Sequence, residues 1–252
     1  MHNPDQAFSL PTARIIKDSH TTSSCFIPLT IKGRQVPIHI KRYNYQNIFY
    51  ASTYLFRTSR AKRVWTVANE LILRGIPTPL PISFLEQRRG GLLIKSFFIT
   101  QMIDPSLSLH TLLNEHVPDA QNKTIRNKHN LIRSIAHVIR SMHDQGVWHG
   151  DLKSANILVE KKEGQNDTLY LVDLDSTRIK TRLEKKDRIR DLARLNASLL
   201  DTRIVSTTDR FRFLNHYLHV SKKRNHKARD YWKETLGQTE KKLKQSGKTW
   251  IS

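Results

Sequence analysis

Along the first hundred positions apolar and polar residues alternate, and over most of the remainder they recur at helical spacing. Ala13–Lys17, Ser24–Ile31 and Val36–Lys41 alternate and are rich in β-branched residues, which predicts three strands. Asp18-Ser19-His20-Thr21-Thr22-Ser23 links the first two, and Lys32-Gly33-Arg34 turns the second into the third. Between Thr58 and Arg74 the period changes. Val64, Val67, Leu71 and Ile72, widened by Trp65, share one side of a helix that Thr58 or Ser59 would cap and Gly75 would stop. The proline-spaced Ile76–Pro81 reads as extended chain. Strands are expected again at Ile82–Leu85 and Leu92–Thr100, around the turn Arg88-Arg89-Gly90-Gly91.

Gln101-Met102-Ile103-Asp104-Pro105 interrupts the alternation, and mostly helical chain follows. A short helix is expected at Ser108–Glu115 and a polar loop at 116–124. The clearest helix is Ile125–His143, with Leu131, Ile135, Val138 and Met142 on one face and Gly146 past its end. A later helix turns Ile189, Leu192, Leu195, Leu199 and Leu200 inward, and another covers about Arg210–Val220. Ile157–Val159 and Leu169–Val172 form a strand pair around the polar loop Lys161–Asp167. The expected architecture is α+β in two lobes: residues 1–101 a small antiparallel sheet with one helix, residues 102–252 mostly helical and ending in a basic tail, 221–252.

Composition narrows the setting. The 252 residues suffice for a two-lobed unit with a real core. Cys25 is the only cysteine, so no internal disulfide forms, which suits a reducing compartment. Met1–Gln6 lacks the pattern of a signal peptide, and no apolar run approaches the ~20 residues that span a bilayer. A cytoplasmic protein, soluble or peripheral to a membrane, is expected. The net charge of +21 attracts polyanions: nucleic acid, anionic lipid head groups or a multiply phosphorylated ligand. Residues 221–252 hold ten Lys or Arg against three acids, interleaved with Tyr231, Trp232, Leu236 and Leu243. They suit either a basic amphipathic helix on an anionic membrane surface or a solvated terminal helix docking one apolar edge. Nucleic acid is disfavoured, because no aromatic stacking motif or reader fold accompanies the charge.

The chemistry concentrates in His149-Gly150-Asp151-Leu152-Lys153-Ser154-Ala155-Asn156 and in Leu171-Val172-Asp173 at the end of a later apolar strand. Any one of these polar residues alone is an ordinary turn-capper. The pattern H-x-D-x-x-x-x-N, followed at this distance by an apolar-flanked Asp, is the phosphoryl-transfer apparatus of a kinase-like fold. Asp151 would take the proton of an attacking hydroxyl. Lys153 would bring an ammonium near the transferring phosphate. Asn156 and Asp173 would hold Mg²⁺, a hard cation that accepts one carboxylate and one amide oxygen and keeps its waters. Lys41, ending the third strand, stands where a kinase keeps the lysine for the α and β phosphates of ATP. Backbone groups of Gln101 and Ile103 would bond the adenine. Asp191, in a later helix, suits a hydrogen-bonding role to the backbone of the catalytic loop.

Further stretches point to a narrower group. Arg60-Ala61-Lys62-Arg63-Val64-Trp65 runs on to Gly75-Ile76-Pro77-Thr78-Pro79, and Ser96-Phe97-Phe98-Ile99-Thr100 precedes Asp104-Pro105-Ser106-Leu107-Ser108-Leu109. Asp173-Leu174-Asp175-Ser176-Thr177-Arg178 continues to Arg190-Asp191-Leu192-Ala193-Arg194-Leu195. Over about residues 13–220 the chain resembles the Kdo/WaaP lipopolysaccharide kinase family of Gram-negative bacteria. The resemblance implies a protein-kinase-like enzyme at the inner face of the inner membrane, using ATP and Mg²⁺ to phosphorylate a Kdo or heptose hydroxyl of the lipopolysaccharide inner core. Its partner would be an anionic glycolipid or sugar acceptor, met by the guanidinium cluster at 178–190. The family carries Glu just before the helix Trp, where this chain has Val64; Glu70 is the only acid between Tyr54 and Leu85. No Ala-Pro-Glu follows Asp173, and Gly150 stands where many regulated kinases carry Arg. Both features argue against a protein substrate. The competing readings are a protein or small-metabolite kinase, and a pseudokinase serving as a binding module.

Overall fold

The computed structural model describes residues 4–31, 33–45, 53–54, 57–104, 106–115, 121–161, 167–200, 202, 204–219 and 226–247, with the side chains of 31, 115, 121–127 and 227 excepted. The chain divides into two compact units, Met1–Asp104 and Pro105–Ser252.

The first unit is a five-stranded antiparallel sheet in the order β1-β2-β3-β5-β4, built from β1 (Arg14–Asp18), β2 (Thr22–Ile31), β3 (Arg34–Asn44), β4 (Pro81–Arg89) and β5 (Leu92–Gln101). Alternation sorts its faces. Cys25 lies opposite Ile40 and Ile27 opposite Ile38, and all four join Phe97 and Ala7 in one buried cluster. Ala7 comes from a 3-10 turn, Pro4–Ser9, that the apolar pattern did not predict. Asp5 in that turn pairs with Arg42 at 3.0 Å and with Lys95, and Phe8 lies under the Arg42 guanidinium, so polar contacts and not periodicity fix it to the sheet. Helix α1 (Arg60–Leu73) packs on β4 and β5, with the Ser59 hydroxyl accepting from Lys62 N–H at 3.1 Å. Its buried face is Ala61, Val64, Ala68 and Leu71. The expected Val67 is only half-buried and Ile72 is exposed. The two alanines shift the contact stripe round the helix, because a small side chain lets the backbone approach the sheet.

The second unit carries β6 (Leu107–Ser108), α2 (Leu109–Glu115), α3 (Gln121–Asp144), β7 (Val147–Trp148), β8 (Ile157–Glu160), β9 (Thr168–Leu171), β10 (Arg178–Ile179), α4 (Lys185–Leu199), α5 (Thr207–Tyr217) and α6 (His226–Gln245). Helix α3 begins at Gln121, so 121–124 are helical and not the expected loop; no Gly or Pro separates them from Ile125. The rest of that expected loop, 116–120, lies outside the described residues, as do 162–166 of the loop expected at 161–167. Helix α5 also starts earlier than expected, because Ser206 and Asp209 form a reciprocal capping box there. Ile135, Ile139 and Met142 of α3 and Ile189, Leu192 and Leu195 of α4 are core. Helix α6 lies along α4 on a narrow buried edge of Ala228, Thr235, Thr239 and Leu243, with Asn196 Nδ2 donating to Thr239 Oγ1 at 3.1 Å. Residues 220–225 and 248–252 of the tail region lie outside the described residues. No described helix is long and apolar enough to cross a membrane.

Candidate active site

Two glycines bracket the strand that delivers the catalytic loop. Gly146 and Gly150 both have φ of +77°. A Cβ on Gly146 would stand 2.1 Å from the Lys180 carbonyl oxygen, and one on Gly150 would stand 2.7 Å from that of Ser176. No side chain fits either place. Glycine at 150, where regulated kinases carry Arg, is thus demanded locally by the close approach of the 176 backbone. The same approach lets β7 pair with β10, Trp148 opposite Arg178 and Val147 opposite Ile179, which ties the chain before Asp151 to the chain after Asp173.

Asp191 anchors the loop from below. Fully buried in α4, it accepts the His149 N–H at 2.9 Å on Oδ2 and the Gly150 N–H at 3.0 Å on Oδ1. The expectation that this acid holds the catalytic-loop backbone is borne out. Sequence reasoning missed the third contact, His143 Nε2 at 3.3 Å from Asp191 Oδ2. His143 falls on the apolar face of α3, so periodicity assigns it to the core.

Asp151 leaves this anchored turn half-buried, with direct bonds to two other predicted residues. Lys153 Nζ donates to Asp151 Oδ2 at 2.9 Å. Asn156 Nδ2 donates to the Asp151 carbonyl at 2.9 Å and to Oδ2 at 3.3 Å. Among the described residues Oδ1 takes no hydrogen bond, so one carboxylate oxygen is held and the other is available. Asn156 ends a 3-10 turn, Ser154–Asn156, which α4 clamps: Ser154 N–H donates to Ser198 Oγ at 2.8 Å, and Ser154 Oγ donates to the Ser198 carbonyl at 3.2 Å. With both Asn156 amide hydrogens turned to Asp151, its Oδ1 is the atom left to act as a ligand.

Asp173 arrives from β9. Ile157 lies opposite Leu171, and Val172 N–H donates to the Asn156 carbonyl at 3.0 Å, so Asp173 is the next residue beyond a bond to Asn156. It is exposed and left-handed, with φ and ψ both 60°. Few non-glycine residues adopt that conformation, aspartate more readily than most, and it gathers at functional sites.

His149 is buried, with Nε2 donating to the Val172 carbonyl at 3.1 Å. Burial pushes its pKa below the usual 6.5 although Asp191, the Val172 carbonyl, Asp151 and Asp173 all pull the other way. The unfolded chain then takes up a proton near pH 6.5 that the folded chain refuses, so this contribution to stability is whole above pH 6.5 and declines as pH falls. Urea titrations between about pH 7 and 5 should show stability falling, with a shallower decline in His149→Asn. Equal slopes would remove His149 as the cause.

Lys41, Gln101 and Ile103 belong to the first unit. Lys41 does not end the third strand as expected: β3 runs on to Asn44 because Arg42, Tyr43 and Asn44 still pair with β5, and Lys41 Nζ stands 5.5 Å from the ring centre of the buried Tyr43. Gln101 N–H is already bonded to the Leu80 carbonyl at 2.9 Å, so of its two backbone groups the donor is used. Ile103 lies just past β5. Val64 lies on the buried face of α1, and Glu70 is bonded to Arg74 one turn along at 2.7 Å.

A family model described as "Lipopolysaccharide kinase (Kdo/WaaP) family" matches residues 32–217. The chain is 27% identical over 160 residues to the lipopolysaccharide core heptose(I) kinase WaaP of Escherichia coli, covering 62% of this chain and 59% of that protein. It is 25% identical over 178 residues to the 3-deoxy-D-manno-octulosonic acid kinase of Photobacterium profundum, covering 68% of each. The solved structure "WaaP in complex with acyl carrier protein" superposes with a TM-score of 0.65 at 20% identity, over 96% of this chain and 92% of that one. That likeness establishes the kinase-like α+β fold.

Proposed function

The chain belongs to the lipopolysaccharide kinase (Kdo/WaaP) family, and from that premise we propose that it transfers the γ-phosphoryl of ATP to a Kdo or heptose hydroxyl of the lipopolysaccharide inner core. The observation that carries this reading is the half-held carboxylate of Asp151. Lys153 and Asn156 fix Oδ2, and Oδ1 is left to orient a sugar hydroxyl and take its proton. The amide oxygen of Asn156 and the exposed carboxylate of Asp173 are the donor set a magnesium ion accepts. Magnesium, when bound, supplies neutralisation of the phosphate charge. Lys41 takes the role of the α- and β-phosphate contact, and the backbone at Gln101 and Ile103 that of the adenine contact, with the Gln101 carbonyl as the available group. Within the basic run from Arg178 to Arg190, Lys180, Lys185, Lys186 and Arg188 are paired with acids, and the exposed Arg178 and Arg182 are the cations that suit an acceptor bearing carboxylates and phosphates. Incubation with labelled ATP and Mg²⁺ should label purified core oligosaccharide and leave general protein substrates unlabelled. Labelled protein with unlabelled oligosaccharide would transfer the assignment to a protein kinase, and no Mg²⁺-dependent turnover at all would leave the pseudokinase.

A further inference from the structure

Beneath the catalytic loop runs a buried chain of hydrogen bonds that the proposed chemistry does not use. Tyr217, the last residue of α5, is 1% exposed, and His143 and Asp191 are 0% exposed. Tyr217 Oη lies 2.8 Å from His143 Nδ1, and His143 Nε2 lies 3.3 Å from Asp191 Oδ2. Arg188 Nη1 reaches Tyr217 Oη at 3.5 Å and Asp144 Oδ1 at 2.8 Å, and its Nη2 donates to the His143 carbonyl at 3.2 Å. Arg140 Nη1 donates to the Tyr217 carbonyl at 2.8 Å.

The direction of this chain follows from counting protons. The Asp191 carboxylate only accepts, and it already accepts the His149 and Gly150 N–H groups. A lone pair on His143 Nε2 would face that carboxylate with no proton between them in a dry site, so Nε2 carries the hydrogen. A neutral imidazole then has its lone pair on Nδ1, and the Tyr217 hydroxyl must donate to it. Burial raises the phenol pKa well above its usual range, which keeps that donor protonated. Arg188 supplies the phenol oxygen with a donor of its own. Every group has one partner for each role only in this sense, from Arg188 to Tyr217 to His143 to Asp191.

We propose that Tyr217 is a positioning residue for the catalytic loop, its hydroxyl holding the His143 ring in the orientation that completes the Asp191 anchor beneath His149 and Gly150. The inference rests on the phosphoryl-transfer reading for its kinetic consequence, but not for its structural one. Without the hydroxyl, Nδ1 is a buried acceptor with no donor. Asp191 still keeps the hydrogen on Nε2, but nothing then holds the ring, and turning it to give Nδ1 a donor weakens the bond from Nε2 to Asp191. The carboxylate loses its third donor and with it the position in which it holds the two amides of the turn carrying Asp151.

Tyr217→Phe deletes one oxygen and keeps the ring that meets His143 edge-on at 5.7 Å. Transfer from ATP to core oligosaccharide should show kcat falling about tenfold, the equivalent of one buried hydrogen bond, with the KM for ATP unchanged. Ring ¹⁵N shifts of His143 in labelled protein should report the Nε2–H tautomer in both, with the Nδ1 resonance moved in the variant as it loses its donor. The Gly150 amide should exchange faster in the variant. A parent in the Nδ1–H tautomer, or unchanged Gly150 exchange in the variant, overturns the proposal, as does a kcat loss that disappears when the assay is cooled below the onset of unfolding. Should the parent transfer no phosphate, the tautomer and the exchange rate still decide the positioning claim, and only the functional reading falls.

Discussion

Asp151→Ala is expected to lower kcat for phosphoryl transfer by on the order of 10²–10⁴, the usual worth of a positioned general base, with the protein still folded. The geometry separates the two effects. Asp151 and Lys153 have side chains 36% and 42% exposed, so their ion pair contributes about 0–1 kcal/mol to stability. The alanine variant also releases Asn156 Nδ2 from Oδ2, but not from the Asp151 carbonyl, which is the shorter of its two bonds. Asn156 therefore keeps its orientation, and the KM for ATP should change little. Single-turnover rates with labelled ATP, beside a urea titration, would check both parts. A variant that transfers at the parental rate would mean that Asp151 is not the base. A variant that loses activity only in proportion to lost fold would mean that the loop is structural.

How far the site was legible can be judged residue by residue. Asp151, Lys153 and Asn156 lie close together in the chain, and their spacing alone brings them into contact, which the structure bears out through the bonds on Asp151. The β8–β9 hairpin was legible from its alternating apolar residues, and it carries Asp173 to the residue beyond Asn156's partner. The left-handed backbone of Asp173 was not, because an aspartate at a strand end gives no sign of its φ. The tightness behind Gly150 was hidden for a related reason: the atom it must avoid, the Ser176 carbonyl, is set by long-range pairing of β7 with β10. The 3-10 turn that seals the first sheet was missed because Asp5, Phe8 and Arg42 hold it, and single polar contacts carry no period. His143 and Tyr217 were hidden in plain helical pattern, where a buried polar residue and a core aromatic look alike.

The charge excess also takes on structural meaning. The 22 acids cannot neutralise 43 lysines and arginines. Several of the described acids are committed to ion pairs with one or two of those cations: Asp5 with Arg42 and Lys95, Asp144 with Arg140 and Arg188, and Asp209 with Lys128 and Arg212. Each such acid lowers the field locally and leaves the surplus elsewhere. The exposed Arg178 and Arg182, just past Asp173, are part of that surplus. A highly anionic acceptor is the ligand such a surface attracts without specific contacts, so the charge agrees with the acceptor proposed above.

The largest combined loss of stability and activity is expected from Asp191→Ala. Three donors converge on this carboxylate: the amides of His149 and Gly150 and the imidazole of His143. None can turn to water, because His143, His149 and Asp191 are all buried. Each buried donor left without an acceptor costs about 1–3 kcal/mol. The three share one site, so their costs do not simply add. Even the loss of two is a few kcal/mol, a large fraction of the ~5–15 kcal/mol that keeps a domain folded. Asp191→Asn keeps one acceptor oxygen but aims an NH₂ group at a donor, so its stability should fall between those of the parent and the alanine variant. Both variants should lose more activity than unfolding explains, because the turn that aims Asp151 is held by those same two amides. Urea midpoints, Gly150 amide exchange and kcat at a temperature where each variant is folded would be measured together. If the alanine variant matched the parent in all three, the loop would have to be held by its β7–β10 pairing and the Thr177 hydroxyl bond to the His149 carbonyl instead.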